Sequence, residues 1–185
     1  MHLTQGQLYV DADILAPCLI EVATGQPRDT IAKLIVDSVE IKSCNKKNGW
    51  YVNWPQLLKE NEVYGIYIKG QDTPEGLIAI KQDPSASAVY MAWGCAAPHN
   101  NKRLTMAPKY MGVGGHLFAI AAEKSFQYGF DGYLYGFAAN AKLLKHYIKV
   151  FGAWHAGMLH EFHFVIEPDK AQKLMEVYNY DWHNG

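Results

Sequence analysis

Lys109-Tyr110-Met111-Gly112-Val113-Gly114-Gly115 runs without a break into His116-Leu117-Phe118-Ala119-Ile120-Ala121-Ala122-Glu123. Glycines ahead of an apolar, alanine-rich run mark a tight turn that opens a helix. The first N–H groups of such a helix lack intrahelical partners and lie at the positive end of its dipole. They are suited to an anion, and to phosphate above all. Glycine at 112, 114 and 115 lets the main chain approach that anion with no side chain in the way. A tight helix entry needs the same glycines, so the turn alone is a weak signal, and the order of elements around it decides the reading.

Downstream, the helix is predicted to end near Tyr128, at Gly129. Leu117, Phe118, Ala121 and Ala122 point inward, and His116, Glu123 and Gln127 fall on the wet face. Tyr133 to Ala138 reads as a strand. Asn140 caps a second helix, whose apolar stripe is Leu143, Leu144, Tyr147 and Phe151 and whose polar face is Lys142, Lys145, His146 and Lys149. Gly152 ends it. A strand over Leu159 to Glu167 and a terminal helix from Pro168 to about Tyr178 follow. Upstream, Val63–Lys69, Gly76–Lys81 and Ala88–Ala97 are rich in strand formers and joined by short turns, which predicts an antiparallel meander. Residues 1–61 read as a helical N-terminal part. Asp29 or Thr30 would cap a helix with Ile31, Leu34, Ile35 and Val39 on one face, and Trp54-Pro55-Gln56-Leu57-Leu58 would form a short helix with proline in its first turn. Ala12 to Val22 fits either a helix broken near Pro17 or a strand followed by a turn. The expected fold class is α/β: a mixed, mainly antiparallel central sheet flanked by helices. A single domain over 1–185 is expected, with the core sheet and cofactor site in 62–167 and a C-terminal helix and tail in 168–185.

The 185 residues are 49% hydrophobic and 19% charged, with a formal net charge of −1. That balance is ordinary for a globular domain and gives no global field to draw in nucleic acid. Cys18, Cys44 and Cys95 are few and lack CxxC spacing, so neither a disulfide framework nor a zinc site is expected. No secretory leader and no apolar run of membrane-spanning length stands in the sequence. A cytoplasmic protein is the expectation.

With the turn in that order, the chain resembles the GNAT superfamily of acyl-CoA-dependent N-acetyltransferases. The family's phosphate loop, Gln/Arg-x-x-Gly-x-Gly/Ala, is similar to Lys109-x-x-Gly112-x-Gly114. Its Asn and Tyr seven residues apart, followed by a Gly, are similar to Asn140, Tyr147 and Gly152, and Ala96-Ala97-Pro98 resembles the end of the strand before its loop. The likeness covers roughly residues 62 to 167. Lys109 departs from the pattern, keeping a positive charge without the guanidinium fork. The strand Ala88–Ala97 carries no Asp or Glu, where many members place a catalytic carboxylate.

The resemblance implies acetyl-CoA as cosubstrate, no metal, and direct transfer of an acetyl group to an amine on a small molecule or protein. Nucleic acid and membrane are not implied as partners, and a homodimer is compatible. The diphosphate would meet Lys109, Tyr110, Met111, Gly112, Val113, Gly114 and Gly115. The pantetheine arm would pair with Cys95, Ala96 and Ala97, and Asn140 would touch it when not simply capping its helix. Tyr147 would give a proton to the departing thiolate, although on an apolar stripe it also fits a core residue. For the base that deprotonates the amine, Glu75, His99, Glu161 and His163 are the candidates. Cys95 reads as a small buried hydrophobe rather than a nucleophile, and His160 and His163 would point to opposite faces of a strand. The alternative function is a non-catalytic acyl-CoA-binding or regulatory module on the same scaffold. A dinucleotide-binding oxidoreductase lacks the third glycine of its fingerprint.

Overall fold

The computed structural model describes residues 5–11 and 13–182. Its centre is an eight-stranded sheet in the order β11-β3-β4-β5-β6-β8-β10-β9. The strands are β3 (Thr30–Ile35), β4 (Glu62–Ile68), β5 (Gly76–Asp83), β6 (Ala88–Ala96), β8 (Leu134–Phe137), β9 (Trp154–His155), β10 (His163–Ile166) and β11 (Asp181–Trp182). Neighbours run antiparallel except β6 beside β8 and β11 beside β3. This is the mixed, mainly antiparallel sheet flanked by helices that the element order predicts. A small sheet joins β1 (Leu19–Glu21) to β2 (Pro27–Arg28) and to β7 (Tyr110–Met111).

The helical reading of the N-terminal part is overturned. Thr30 to Ile35 is a strand paired along its length with β4. Ile31, Leu34 and Ile35 fit a helical stripe, but Thr30 and the two isoleucines are β-branched, and a partner strand was waiting. Of the two readings of the preceding stretch, the strand followed by a turn holds, at β1. The one α-helix described before the meander is the short α1 (Trp54–Leu57), with Pro55 in its first turn as expected.

Two apolar clusters cover the two faces of the sheet. On one side α2 (Val113–Gln127), α3 (Ala141–Phe151) and α4 (Pro168–Val177) close over Ile66, Ile78, Met91 and Phe164. On the other, Trp50, Trp54, Ile41 and Cys44 pack on Val63, Leu77, Ala79 and Cys95. Asn140 caps α3 through its side chain, and Gly152 closes it in the left-handed region at φ 66°.

The sheet parts between β6 and β8. Ala79 pairs with Trp93 and Ile80 with Met91, so Ala92 is an extra residue on β6. Such a bulge bends its strand. The last β6–β8 pair is Met91 with Gly136, and beyond it the strands diverge into a V whose mouth faces the start of α2.

Candidate functional site

The V opens beside the strand end at Ala96 where the resemblance would lay a pantetheine arm, and the chain's own N-terminal segment lies in it. Leu8 N–H donates to Phe137 O at 2.8 Å, and Tyr9 N–H donates to Gly94 O at 2.9 Å. Ala139 N–H donates back to Leu8 O at 3.0 Å. Gly6, Leu8 and Val10 are buried while Gln7, Tyr9 and Asp11 are half-buried, the period-two alternation of a strand. Neighbouring glycines make room for it. A Cβ on Gly94 would meet Leu8 and Val10 at 3.0 Å, and one on Gly136 would meet Leu8 at 3.0 Å.

The segment then crosses the glycine turn. Gly112 holds φ 93°, which an L side chain rarely adopts, and its N–H donates to Asp13 Oδ1 at 2.9 Å. Gly114 lies so close to the segment that a Cβ there would stand 2.4 Å from Asp11 O. A Cβ on Gly115 would instead strike the Tyr178 hydroxyl. Lys102 Nζ lies 3.8 Å from Asp13, and Arg103 Nε lies 3.8 Å from Asp11. The loop expected to hold phosphate therefore faces two carboxylates of its own chain. Val113 starts the helix. Lys109 is exposed, its ammonium 5.2 Å from the ring centre of buried Tyr110, and Met111 pairs with Ile20 of β1.

Tyr147 is fully buried. Its hydroxyl accepts from Val10 N–H at 3.1 Å and donates to Leu8 O at 3.3 Å. Burial pushes its ionisation well above the ordinary phenol value. The structure thus brings Tyr147 to the groove, but spends its hydroxyl on the segment inside. Asn140 Oδ1 accepts from Leu143 N–H at 3.0 Å, the capping role.

Along β6, Gly94 turns its carbonyl to the groove, and strand alternation turns Ala96 the same way. Ala97 N–H instead donates to Glu75 O at 2.8 Å, and Cys95 pairs with Leu77, so both face β5. Of the three residues expected to meet the pantetheine arm, Ala96 alone offers its main chain. The Cys95 side chain is buried among apolar groups, which raise its thiol to about 12, and it fits the hydrophobe reading.

Glu75 and His99 are brought together. Glu75 is buried, 2.5 Å from His99 Nε2, and accepts from Asn100 Nδ2 at 2.7 Å. Asn100 Oδ1 accepts from Tyr110 N–H at 2.8 Å, tying the start of β5 to the strand that leads into the glycine turn. His99 lines a cavity of about 340 Å³ with Trp50, Cys44 and Asp72. Glu161 and His163 lie far along the sheet order at the β9–β10 hairpin. A larger cleft of about 830 Å³ flanks the segment on the α1 side, lined by Tyr9, Tyr51, Lys46, Glu60, Tyr90 and Trp93 among others. None of the four base candidates lines it.

His116, expected on the wet face of α2, is fully buried. Its Nδ1 lies 2.6 Å from Gly112 O and its Nε2 lies 3.3 Å from Pro17 O. The shorter contact assigns the proton to Nδ1. Desolvation lowers the ring pKa to about 4, against a smaller upward pull from those carbonyls. The segment carrying Pro17 covers that helix face, and nothing in the helix pattern encodes that cover.

The N-terminal segment is the part of the site that the sequence reading missed. Its signal was there: Leu8-Tyr9-Val10 are strand formers with alternating polarity on either side, followed by two aspartates.

No family model matches the chain, and no curated protein matches it. Among solved structures, the chain is similar to one described as an IAA acetyltransferase from Bacillus cereus ATCC 14579, at 13% identity and a TM-score of 0.47, over 75% of this chain and 99% of that one.

Proposed function

We propose that this protein is an acyl-CoA-dependent N-acyltransferase, with acetyl-CoA as donor and an amine as acceptor. One observation carries the reading. A bulge-driven gap between two parallel strands accepts an extended, amide-bearing chain and ends on a glycine-led helix N-terminus that accepts an anion. A pantetheine arm ending in a diphosphate has that chemistry. Residues 6–11 and Asp13 support the reading: Leu8 and Tyr9 pair with the two walls of the gap, and the Asp13 carboxylate takes the Gly112 N–H.

The donor supplies a thioester, and the chain supplies the rest. The N–H groups of residues 112–115, with Lys102 and Arg103 close by, hold the diphosphate end. Main-chain groups of Gly94 and Ala96 orient the arm. The Tyr147 hydroxyl, once free of Val10 and Leu8, gives its proton to the departing sulfur, and the phenolate so formed regains a proton from solvent. The amine enters from the cleft of about 830 Å³, a volume suited to a small molecule. Its proton leaves to solvent, because the cleft offers Glu60 as its one carboxylate and that group pairs with Lys81 at 3.4 Å.

Titration with acetyl-CoA, followed through backbone amide signals, tests the reading. Shifts centred on Gly112–Gly115 and Ala96 are expected, with thioester consumption for some member of an amine panel. Binding without turnover over the whole panel would favour the non-catalytic module, which the lack of a carboxylate on β6 also favours. No binding at millimolar ligand, by this chain or by a variant with a loosened N-terminal segment, would end both readings.

A further inference from the structure

We propose that the segment comprising residues 5–11 and Asp13 is an intramolecular competitor of acyl-CoA: it fills the cofactor groove in the cofactor's own binding mode and must leave before the cofactor enters. This rests on the reading of the groove given above. The imitation has two parts. Leu8 and Tyr9 pair with the two diverging strands as a pantetheine arm would. Asp13 takes the Gly112 N–H, and Asp11 and Asp13 face Arg103 and Lys102, where a diphosphate would put its charge.

The segment has fewer ladder pairs than the two strands it lies between. Leu8 makes an isolated bridge to Gly94 and another to Ala138, with no ladder on either side among the described residues. By contrast, β5 pairs with β6 over eight register positions and β3 with β4 over six. Its ion pairs are long, at 3.8 Å, and its cations are partly in water. Leu8 and Val10 are fully buried and supply most of the grip. A strand with few ladder bonds opens at lower free energy than the sheet around it. The apparent CoA affinity is then the intrinsic affinity scaled by the fraction of molecules with the segment out.

Two single substitutions in the full chain and one exchange measurement test this. Asp13→Ala removes the acceptor of the Gly112 N–H, and an approximately tenfold tighter dissociation constant for coenzyme A is expected, the order of one charge-assisted hydrogen bond. Because Asp13 sits beside the phosphate loop, that gain could be charge alone. Gly6→Ala separates the two. Gly6 is remote from the loop, and its Cβ would fall 1.9 Å from the Ala92 carbonyl oxygen, so the segment is pushed outward with no change of charge. Tighter coenzyme A binding is expected here too. In the unsubstituted protein, saturating coenzyme A should speed hydrogen exchange at the Leu8, Tyr9 and Val10 amides, which lose their acceptors. Unchanged affinity in Gly6→Ala with those amides still protected at saturation overturns the competitor role, whatever Asp13→Ala does, and leaves the cofactor reading standing. Absence of coenzyme A binding to all three proteins overturns the cofactor reading, and the competitor role with it.

Discussion

Removing one oxygen, by Tyr147→Phe, probes how the groove and its occupant are joined. The ring keeps its place, packed against Phe118 at 5.0 Å, Phe164 at 5.2 Å and Phe151 at 5.9 Å between ring centres. Only the hydroxyl's two bonds change. Leu8 O keeps the Ala139 N–H at 3.0 Å, so losing the phenol leaves it satisfied. Val10 N–H, in contrast, has the Tyr147 oxygen as its acceptor at 3.1 Å, and Val10 is fully buried. An orphaned buried donor costs about 1–3 kcal/mol. For a chain of this length about 1 kcal/mol moves the midpoint by about 2–4 °C, so a fall of about 2–12 °C in thermal melting is expected. The same loss loosens the segment, so coenzyme A should bind more tightly to Tyr147→Phe while acyl transfer slows, since the proton donor to sulfur is gone. Tighter binding with slower turnover separates this role from that of a purely structural tyrosine, whose loss would weaken both. A melting midpoint within about 1 °C of the parent would show that the Val10 N–H does not depend on this oxygen, and would refute the reasoning.

Three further outcomes are expected. Unfolded His116 has the ordinary pKa of 6.5 and the folded ring about 4, so the unfolded chain takes up the proton first as pH falls. Stability is therefore intact above about pH 6.5 and lost down to about pH 4, by up to about 3 kcal/mol; His116→Gln should flatten that limb in urea titrations run across the range. Asn100→Ala strips the partner from the buried Tyr110 N–H and from Glu75. It should cost about 2–3 kcal/mol in denaturant melts and weaken coenzyme A binding by loosening the strand into the loop. Cys95→Ala should keep most of the acyl-transfer activity, with no acylated protein detected by intact mass spectrometry in the parent, because a thiol raised to about 12 is not a nucleophile at neutral pH; a stable adduct on Cys95 would reverse that assignment.

From Glu62 onward the main elements were legible from local signals, while the short β7, β9 and β11 were not read and the strand expected over Leu159 to Glu167 is confined to His163–Ile166. Val63–Lys69 is β-branched and aromatic, Gly129 and Gly152 supply left-handed caps at φ 80° and 66°, and Asn140 caps its helix through its side-chain oxygen. Before Glu62 the local signals conflict with the tertiary answer. Thr30–Ile35 has apolar residues at helical spacing, and only pairing with β4 decides for a strand. The candidate site was legible in part. The glycine turn, Tyr147 and Ala96 converge on one gap, but the bulge at Ala92 that opens it depends on register with β5, which composition does not encode. His116 was misplaced because the surface that buries it comes from Pro17 and Tyr178, far away in the chain.

The glycines of the groove bear on what the groove is for. Gly94, Gly136 and Gly114 each stand where a Cβ would strike the N-terminal segment, so a permanently filled groove would explain them without any ligand. Gly112 is different. Its left-handed backbone serves the turn itself, aiming an N–H into the mouth of the gap, and the side chain that meets it is a carboxylate. An apolar plug would have needed no anion there, and would have left Lys102 and Arg103 in water rather than pairing them across 3.8 Å with Asp13 and Asp11. Long, partly solvated ion pairs contribute little to folding stability. They do answer an electropositive helix start, and that start exists whether or not the segment is in place. The acidic end of the segment thus fits a surface already suited to anions, and displacement by a stronger anion on a longer arm asks for no change in the walls of the groove.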